Sequence, residues 1–210
     1  MARYRDRAQA GEALAELLGD HDSSAVVLGI PRGGVPVAAV IADRIDAALD
    51  VAVARKIGAP SNPEFAVGAV AADGAGVWDE VALARYGIDV EQVTEQAGRQ
   101  TEEVERRLAM YRAGRAPVPV EGRDVVVVDD GVATGWTVAA VVGWVVRLKA
   151  ASVTVAVPVG STDAVRWLGD LVDSVVCPLT PRRFMAVGQW YDDFHQLTDD
   201  EVVSTLHHHA

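Results

Sequence analysis

The chain has 210 residues, half of them apolar and about a quarter charged, with a formal net charge of -11. That balance belongs to a soluble globular protein and excludes a disordered or fibrous one. The acidic excess, unrelieved by any local basic patch, also argues against a nucleic-acid binder and against a protein held on an anionic membrane.

One domain over residues 1–210 is the expectation at this length, with room for a two- or three-layer core. The N-terminal Arg3, Arg5, Asp6 and Arg7 carry no apolar leader. Residues 6–18 read as an amphipathic helix: Ala10, Leu14, Leu17 and Leu18 share a face, Asp6 caps it and Gly19 stops it. Residues 25–30 form an apolar run suited to a strand buried on both sides. Pro31-Arg32-Gly33-Gly34 breaks that run, residues 35–45 have helical composition, and 50–54 give a second strand. Strand, glycine turn, helix and strand make the βαβ signature of a parallel sheet.

A different region follows. Residues 66–71 and 76–78 flank Ala72-Asp73-Gly74-Ala75 and predict a hairpin. Val90, Val93, Ala97, Thr101, Val104, Leu108 and Tyr111 then recur at steps of three and four, the pattern of a long amphipathic helix. Glu102 with Arg106 and Glu103 with Arg107 are expected to pair on its opposite face. The helix either packs on its own domain or serves as a lid or a contact in a homodimer. The βαβ unit then recurs, with strands at 124–128, 152–157 and 173–177 and helices at 136–148 and 161–171. At least five strands are expected, in an α/β fold. The longest apolar run, 138–146, is too short to span a bilayer, so no membrane segment is expected. Cys177, the single cysteine, lies in an apolar run and reads as a packed thiol in a reducing, cytoplasmic compartment. His207-His208-His209 read as a tail rather than a metal site.

The most informative stretch is residues 125–137. Four valines run into Asp129 and Asp130, followed by Gly131-Val132-Ala133-Thr134-Gly135-Trp136-Thr137. Open α/β sheets bind ligands at the carboxyl ends of their strands. Backbone N–H groups entering a helix favour an anion, and Thr134 and Thr137 add hydroxyl donors. Paired carboxylates accept hydrogen bonds from vicinal ribose hydroxyls and from magnesium-bound water. Phosphate donors beside diol acceptors describe a ribose 5-phosphate. Neither the P-loop lysine nor the dinucleotide glycine fingerprint is present, which sets a nicotinamide-dependent enzyme aside.

This segment resembles the phosphoribosyl pyrophosphate signature of the type I phosphoribosyltransferases, with Trp136 departing from the small residue expected there. The resemblance implies that family's Rossmann-like parallel sheet, with an inserted hairpin and long-helix region (57–115, including a flexible loop) and a small C-terminal hood (181–206). It implies a ribose 5-phosphate loop of Asp129, Asp130, Gly131, Ala133, Thr134, Gly135, Trp136 and Thr137, with Mg2+ on Asp129 and Asp130, directly or through water. It places a pyrophosphate loop at Arg32, Gly33 and Gly34, and a basic pair at Arg55 and Lys56, at the end of the second strand. Lys56 would serve equally as a solvated charge. Asp129, Asp130 and Arg32 are the catalytic candidates.

Residues 184–194 are dense in aromatics for this chain. They are similar to the closing segment of purine salvage phosphoribosyltransferases, which implies an acceptor pocket of Phe184, Val187, Trp190 and Asp192. The alternative is a hydrophobic latch sealing the sheet edge. The whole chain also resembles a little-characterised bacterial phosphoribosyltransferase-like group. The expected activity is transfer of ribose 5-phosphate from phosphoribosyl pyrophosphate to a nitrogen heterocycle, probed against a rival: a non-catalytic regulator binding phosphoribosyl pyrophosphate or a nucleotide.

Overall fold

The structure is a computed structural model that describes residues 3–19 and 24–209. Its centre is a five-stranded, all-parallel sheet in the order β2-β1-β6-β7-β8, formed by β1 (Val26–Gly29), β2 (Ala48–Val51), β6 (Asp124–Val128), β7 (Ser152–Ala156) and β8 (Ser174–Val176). Between β2 and β6 lies an antiparallel sheet of β3 (Arg55–Ala59), β4 (Asn62–Val70) and β5 (Gly76–Trp78). The helices are α1 (Arg7–Leu18), α2 (Gly34–Ile45), α3 (Glu80–Tyr86), α4 (Val90–Arg112), α5 (Trp136–Arg147), α6 (Thr162–Gly169) and α7 (Asp199–His208).

The valine runs explain the central sheet. All four residues of β1 and Val125 to Val128 of β6 are buried, because helices cover both faces. One core, with Leu14, Ile41, Leu49 and Tyr111, lies under α1, α2, α4 and α7. A second, with Leu28, Val127, Val141 and Leu168, lies under α5 and α6. The register pairs Gly29 with Val128, so β1 and β6 end level. The Ile30 amide donates to the Val128 carbonyl at 2.8 Å, which brings their two following loops side by side.

The inserted region differs in detail from the sequence expectation. The hairpin between β4 and β5 is present, but a third strand, β3, pairs with β4. Arg55 and Lys56 therefore open β3, whereas β2 ends at Val51. The parallel strand ends at Val51, residues 52–54 connect the two sheets, and the antiparallel strand begins at Arg55, so the apolar run 50–54 is not one strand. Helix α4 packs on its own chain, against β2, β3, β4 and α7. It buries Val93, Ala97, Val104, Leu108 and Tyr111, while Val90, in its first turn, is exposed. The pairing of Glu102 with Arg106 is corrected: Glu103 accepts from both Arg106 at 2.7 Å and Arg107 at 2.8 Å. One carboxylate with two oxygens lies within reach of the i+3 and i+4 guanidinium groups.

Two further elements escaped the sequence reading. Helix α3 is a short segment capped by Asp79. Helix α7 starts with a capping box, Thr198 and Glu201 bonding reciprocally, and takes His207 and His208 into its last turn. His209 Nε2 sits 3.1 Å from Asp43, so the histidine run is part of a packed helix end rather than a free tail.

Candidate active site

The loop after β6 is built by its glycines and braced from one side. A side chain at Gly131 would place its Cβ 2.5 Å from Val187, and Gly135 opens α5 at a left-handed φ of 85° with Trp167 only 3.1 Å from where a Cβ would stand. The Val132 amide donates to the Val159 carbonyl at 2.9 Å, and Ser161 Oγ donates to the Ala133 carbonyl at 2.7 Å. The bracing leaves the other side of the loop facing a cavity of about 150 Å3. Lys56, Asp129, residues 131–135, Thr137, Val138 and Val187 line it. Trp136 packs its ring edge-on against Trp167, with centroids 4.5 Å apart, so the departure from a small residue is absorbed between α5 and α6.

The two acids at the end of β6 have different surroundings. Asp129 lines the cavity, and its Oδ1 accepts the Asp130 amide at 2.8 Å. Burial first, and the neighbouring Asp130 charge second, hold its carboxyl well above the ordinary carboxylate range. Asp130 instead gives its Oδ2 to Arg7, whose Nε donates to it at 2.9 Å and whose Nη2 lies at the same distance in the ion pair. Burial lifts Asp130 as well, and the Arg7 guanidinium opposes that rise. The Tyr191 hydroxyl donates to the Asp130 carbonyl at 2.7 Å.

The loop after β1 lies against this strand end. Its Pro31–Arg32 peptide is cis. A Cβ at Gly33 would fall 1.7 Å from Asp130 Oδ2, and one at Gly34 would fall 2.5 Å from the Val128 carbonyl oxygen. Only glycine permits that approach. Arg32 is half-exposed, with Nη1 3.9 Å from Asp199. Of the basic pair, Lys56 lines the cavity, whereas Arg55 donates to Gln100 of α4 at 3.1 Å.

The aromatic segment folds over the same edge. Tyr4 pairs with Tyr191 as an isolated parallel bridge, and the Asp192 amide donates to the Tyr4 carbonyl at 2.9 Å. Trp190 is buried with Tyr4, Ala10, Val159 and Tyr191, and Phe184 and Val187 pack on that cluster. Val187 alone of the four acceptor candidates reaches the cavity at Asp129. Trp190 lines a second, open cavity of about 730 Å3 with Pro178, Leu179, Thr180, Pro181, Arg182 and Arg183. The Asp192 side chain is exposed and borders neither cavity.

Arg7 and Tyr191 were missed by sequence reasoning. For Arg7 a signal existed. It stands three, four and seven residues before Ala10, Gly11 and Leu14, on the buried stripe of α1, and an arginine there needs a buried acid. Tyr191 is an aromatic among aromatics, and nothing local marks its hydroxyl.

Comparison with known proteins places this geometry in a family. The sequence model of the phosphoribosyl transferase domain matches residues 4–167, and the chain belongs to that family. Its five-stranded parallel sheet with flanking helices is the type I phosphoribosyltransferase fold. In two strains of Mycobacterium tuberculosis, a protein whose name provisionally makes it a phosphoribosyl transferase is 42% identical over 207 residues, 98% of this chain and 47% of that protein. The chain thus spans about half the length of the curated relatives it matches. The crystal structure of TT1426 from Thermus thermophilus is 44% identical, with a TM-score of 0.83 over 99% of both chains. The AQ2163 protein of Aquifex aeolicus, 11% identical with a TM-score of 0.53 over 87% of this chain and 76% of that one, shares the fold.

Proposed function

We propose that the chain is a phosphoribosyltransferase that moves ribose 5-phosphate from phosphoribosyl pyrophosphate to a nitrogen heterocycle, a purine-like nucleobase, and releases pyrophosphate. One observation carries the reading: a single cavity presents the loop and helix entry at 131–137, the Asp129 carboxylate and the Lys56 ammonium to one small volume. The amides and hydroxyls of Gly131, Ala133, Thr134, Gly135 and Thr137 would hold the 5-phosphate at the positive end of α5. Of the acid pair, Asp129 at the cavity wall would serve the ribose hydroxyls, with Asp130 as its neighbour at the strand end.

Lys56 and Arg32 would receive the pyrophosphate, and Gly33 and Gly34 would let backbone amides approach it. The bond from the anomeric carbon to pyrophosphate breaks, positive charge develops on the ribose ring, and the acceptor nitrogen forms the new bond. Among the described residues no cluster of three or more metal-ligating side chains exists. A carboxylate at the wall of a phosphate cavity nevertheless suits magnesium, which is held by one or two carboxylates, substrate phosphates and water. When bound there it would neutralise charge on the departing pyrophosphate.

The acceptor would lie towards the cavity beside Trp190, with Phe184 and Val187 as its apolar support. Residues 57–115 would act as the insertion that closes over the donor and excludes water, within a single domain hooded by residues 181–206. Among the described residues no helix is long and apolar enough to cross a membrane, in keeping with work in the cytoplasm. The test is calorimetric titration with magnesium and phosphoribosyl pyrophosphate, followed by a screen of bases for pyrophosphate release. Binding by the wild type that Asp129→Ala loses, together with turnover on a base, is expected. Binding without turnover on any base would turn the reading to the regulator, and no binding would remove the transferase and leave a regulator that binds another phosphate ligand, such as a nucleotide.

A further inference from the structure

The sequence treats Asp129 and Asp130 as one pair, but the structure gives them separate surroundings. Asp130 is enclosed from three sides. Arg7 donates from Nε to its Oδ2 and holds Nη2 against the same oxygen, Gly33 backs so closely on that oxygen that a Cβ would touch it, and Tyr191 fixes its backbone carbonyl. The Arg7 side chain is about nine-tenths buried and otherwise engaged: Nη1 donates to the His195 carbonyl at 3.1 Å, and its guanidinium lies 4.1 Å from the centroid of Phe194. A planar fork suits this task, because it can bond a carboxylate edge-on while stacking on an aromatic face.

From this geometry we infer that Arg7 is a positioning residue for the donor site. It holds Asp130 against the first helix and the aromatic hood, so that Asp129 is the acid that meets the ribose and its metal. The inference rests on the phosphoribosyl pyrophosphate reading above. Arg7 acts through Asp130 and touches no ligand. An uncompensated buried carboxylate beside a phosphate cavity would repel the donor, and Arg7 removes that repulsion. The hood is coupled to the acids through the same side chain, since one guanidinium binds Asp130 and residues 194 and 195 together.

The experiment is calorimetric affinity for magnesium phosphoribosyl pyrophosphate, with thermal unfolding in parallel, for wild type, Asp129→Asn, Asp130→Asn, Arg7→Met, Arg7→Lys and the double variant Arg7→Met/Asp130→Asn. Asp129→Asn should weaken binding about 100-fold and Asp130→Asn no more than about 10-fold, because the amide oxygen still accepts from Arg7. Arg7→Met should cost about 30-fold, and adding Asp130→Asn should recover about 10-fold of that, because the stranded charge is gone. If Arg7→Met does not fold, Arg7→Lys carries the test: it keeps the charge, loses the fork, and should bind about 5-fold more weakly than wild type at a near-wild-type unfolding midpoint. An Asp130→Asn loss as large as that of Asp129→Asn would overturn the inference, as would multiplying losses in the double variant or an Arg7→Lys indistinguishable from wild type. If wild type itself fails to bind, the phosphoribosyl pyrophosphate reading falls, and this inference with it.

Discussion

Two buried arginine–aspartate pairs stand on an edge strand and at the end of the middle strand of the central sheet, in different surroundings. At the outer strand, Asp50 accepts from Arg112 Nε at 3.1 Å and Nη2 at 3.0 Å, and from the amides of Val51 at 2.8 Å and Val118 at 3.0 Å. Both carboxylate oxygens are used, and every partner is scaffold: the end of α4, the strand itself, and the segment returning to β6. At the end of β6, Asp130 also has its arginine, but the preceding residue, Asp129, is a second acid facing a cavity. The Asp50 pair, although it borders a cavity of about 480 Å3, has both carboxylate oxygens bonded to the fold. A pair beside a binding site leaves a charge problem standing next to it, here the raised carboxyl of Asp129.

The widest separation between the two should come from removing one arginine. Arg112→Met strands Asp50 in the core and should lower stability by about 3–5 kcal/mol, read by denaturant unfolding. Affinity of the folded protein for phosphoribosyl pyrophosphate should stay within about 2-fold, since Arg112 lies away from the donor cavity and its loss is felt in the scaffold. A parallel loss of affinity would show that the two pairs are coupled and would break the contrast. Thr134→Ala is the complementary change. Its residue is exposed in the loop, so the unfolding midpoint should not move. Losing a hydroxyl donor to a phosphate should weaken binding by about 1.5–3 kcal/mol, or roughly 10- to 100-fold.

The contrast also explains what could be read in the sequence. The parallel sheet was legible because its strands are apolar runs, and β1, β6 and β7 each lead through a glycine-containing turn into a helix. Gly33, Gly34 and the loop at 131–135 were legible as well, since small residues at a strand end have few other uses. Arg55 was not separable from Lys56 by sequence. Adjacent residues of a strand point to opposite sides, and the basic pair that follows the apolar run was read as the end of one strand when it opens the next. The antiparallel return of β3 depends on its pairing with β4 and its packing on α4, which no local pattern carries, whereas the capping box of α7 and the Asp79 cap of α3 were local signals left unread. Asp192 illustrates the opposite error. The resemblance to purine salvage enzymes implied a pocket acid, whereas the fold uses its amide to pair with Tyr4 and leaves the carboxylate in solvent.

Tyr191→Phe sharpens the comparison on the Asp130 side. The hydroxyl bonds the Asp130 carbonyl, and its loss should cost about 1–2 kcal/mol of stability by thermal or denaturant unfolding. Affinity for phosphoribosyl pyrophosphate should fall only a few-fold, because Arg7 still holds the carboxylate. A loss as large as that of Asp129→Asn would mean that the backbone at Asp130, rather than its side chain, governs the site.

A third arginine–acid cluster supplies the lower limit. Glu103 accepts from Arg106 and Arg107 on the outer face of α4, and their hydrogen bonds hold its carboxyl down at about 2. A depressed carboxylate contributes stability above its unfolded pKa, and that contribution is lost as pH falls from about 4.5 through 2. Here the cluster faces solvent, so water and salt screen it in a way they cannot screen Asp50 or Asp130. Glu103→Gln should therefore shift the unfolding midpoint at pH 7 by no more than about 1 °C, with any difference from wild type vanishing below pH 2. Shared chemistry in all three clusters makes burial the variable under test, and a Glu103 effect as large as that of Arg112→Met would show that burial is not what sets their worth.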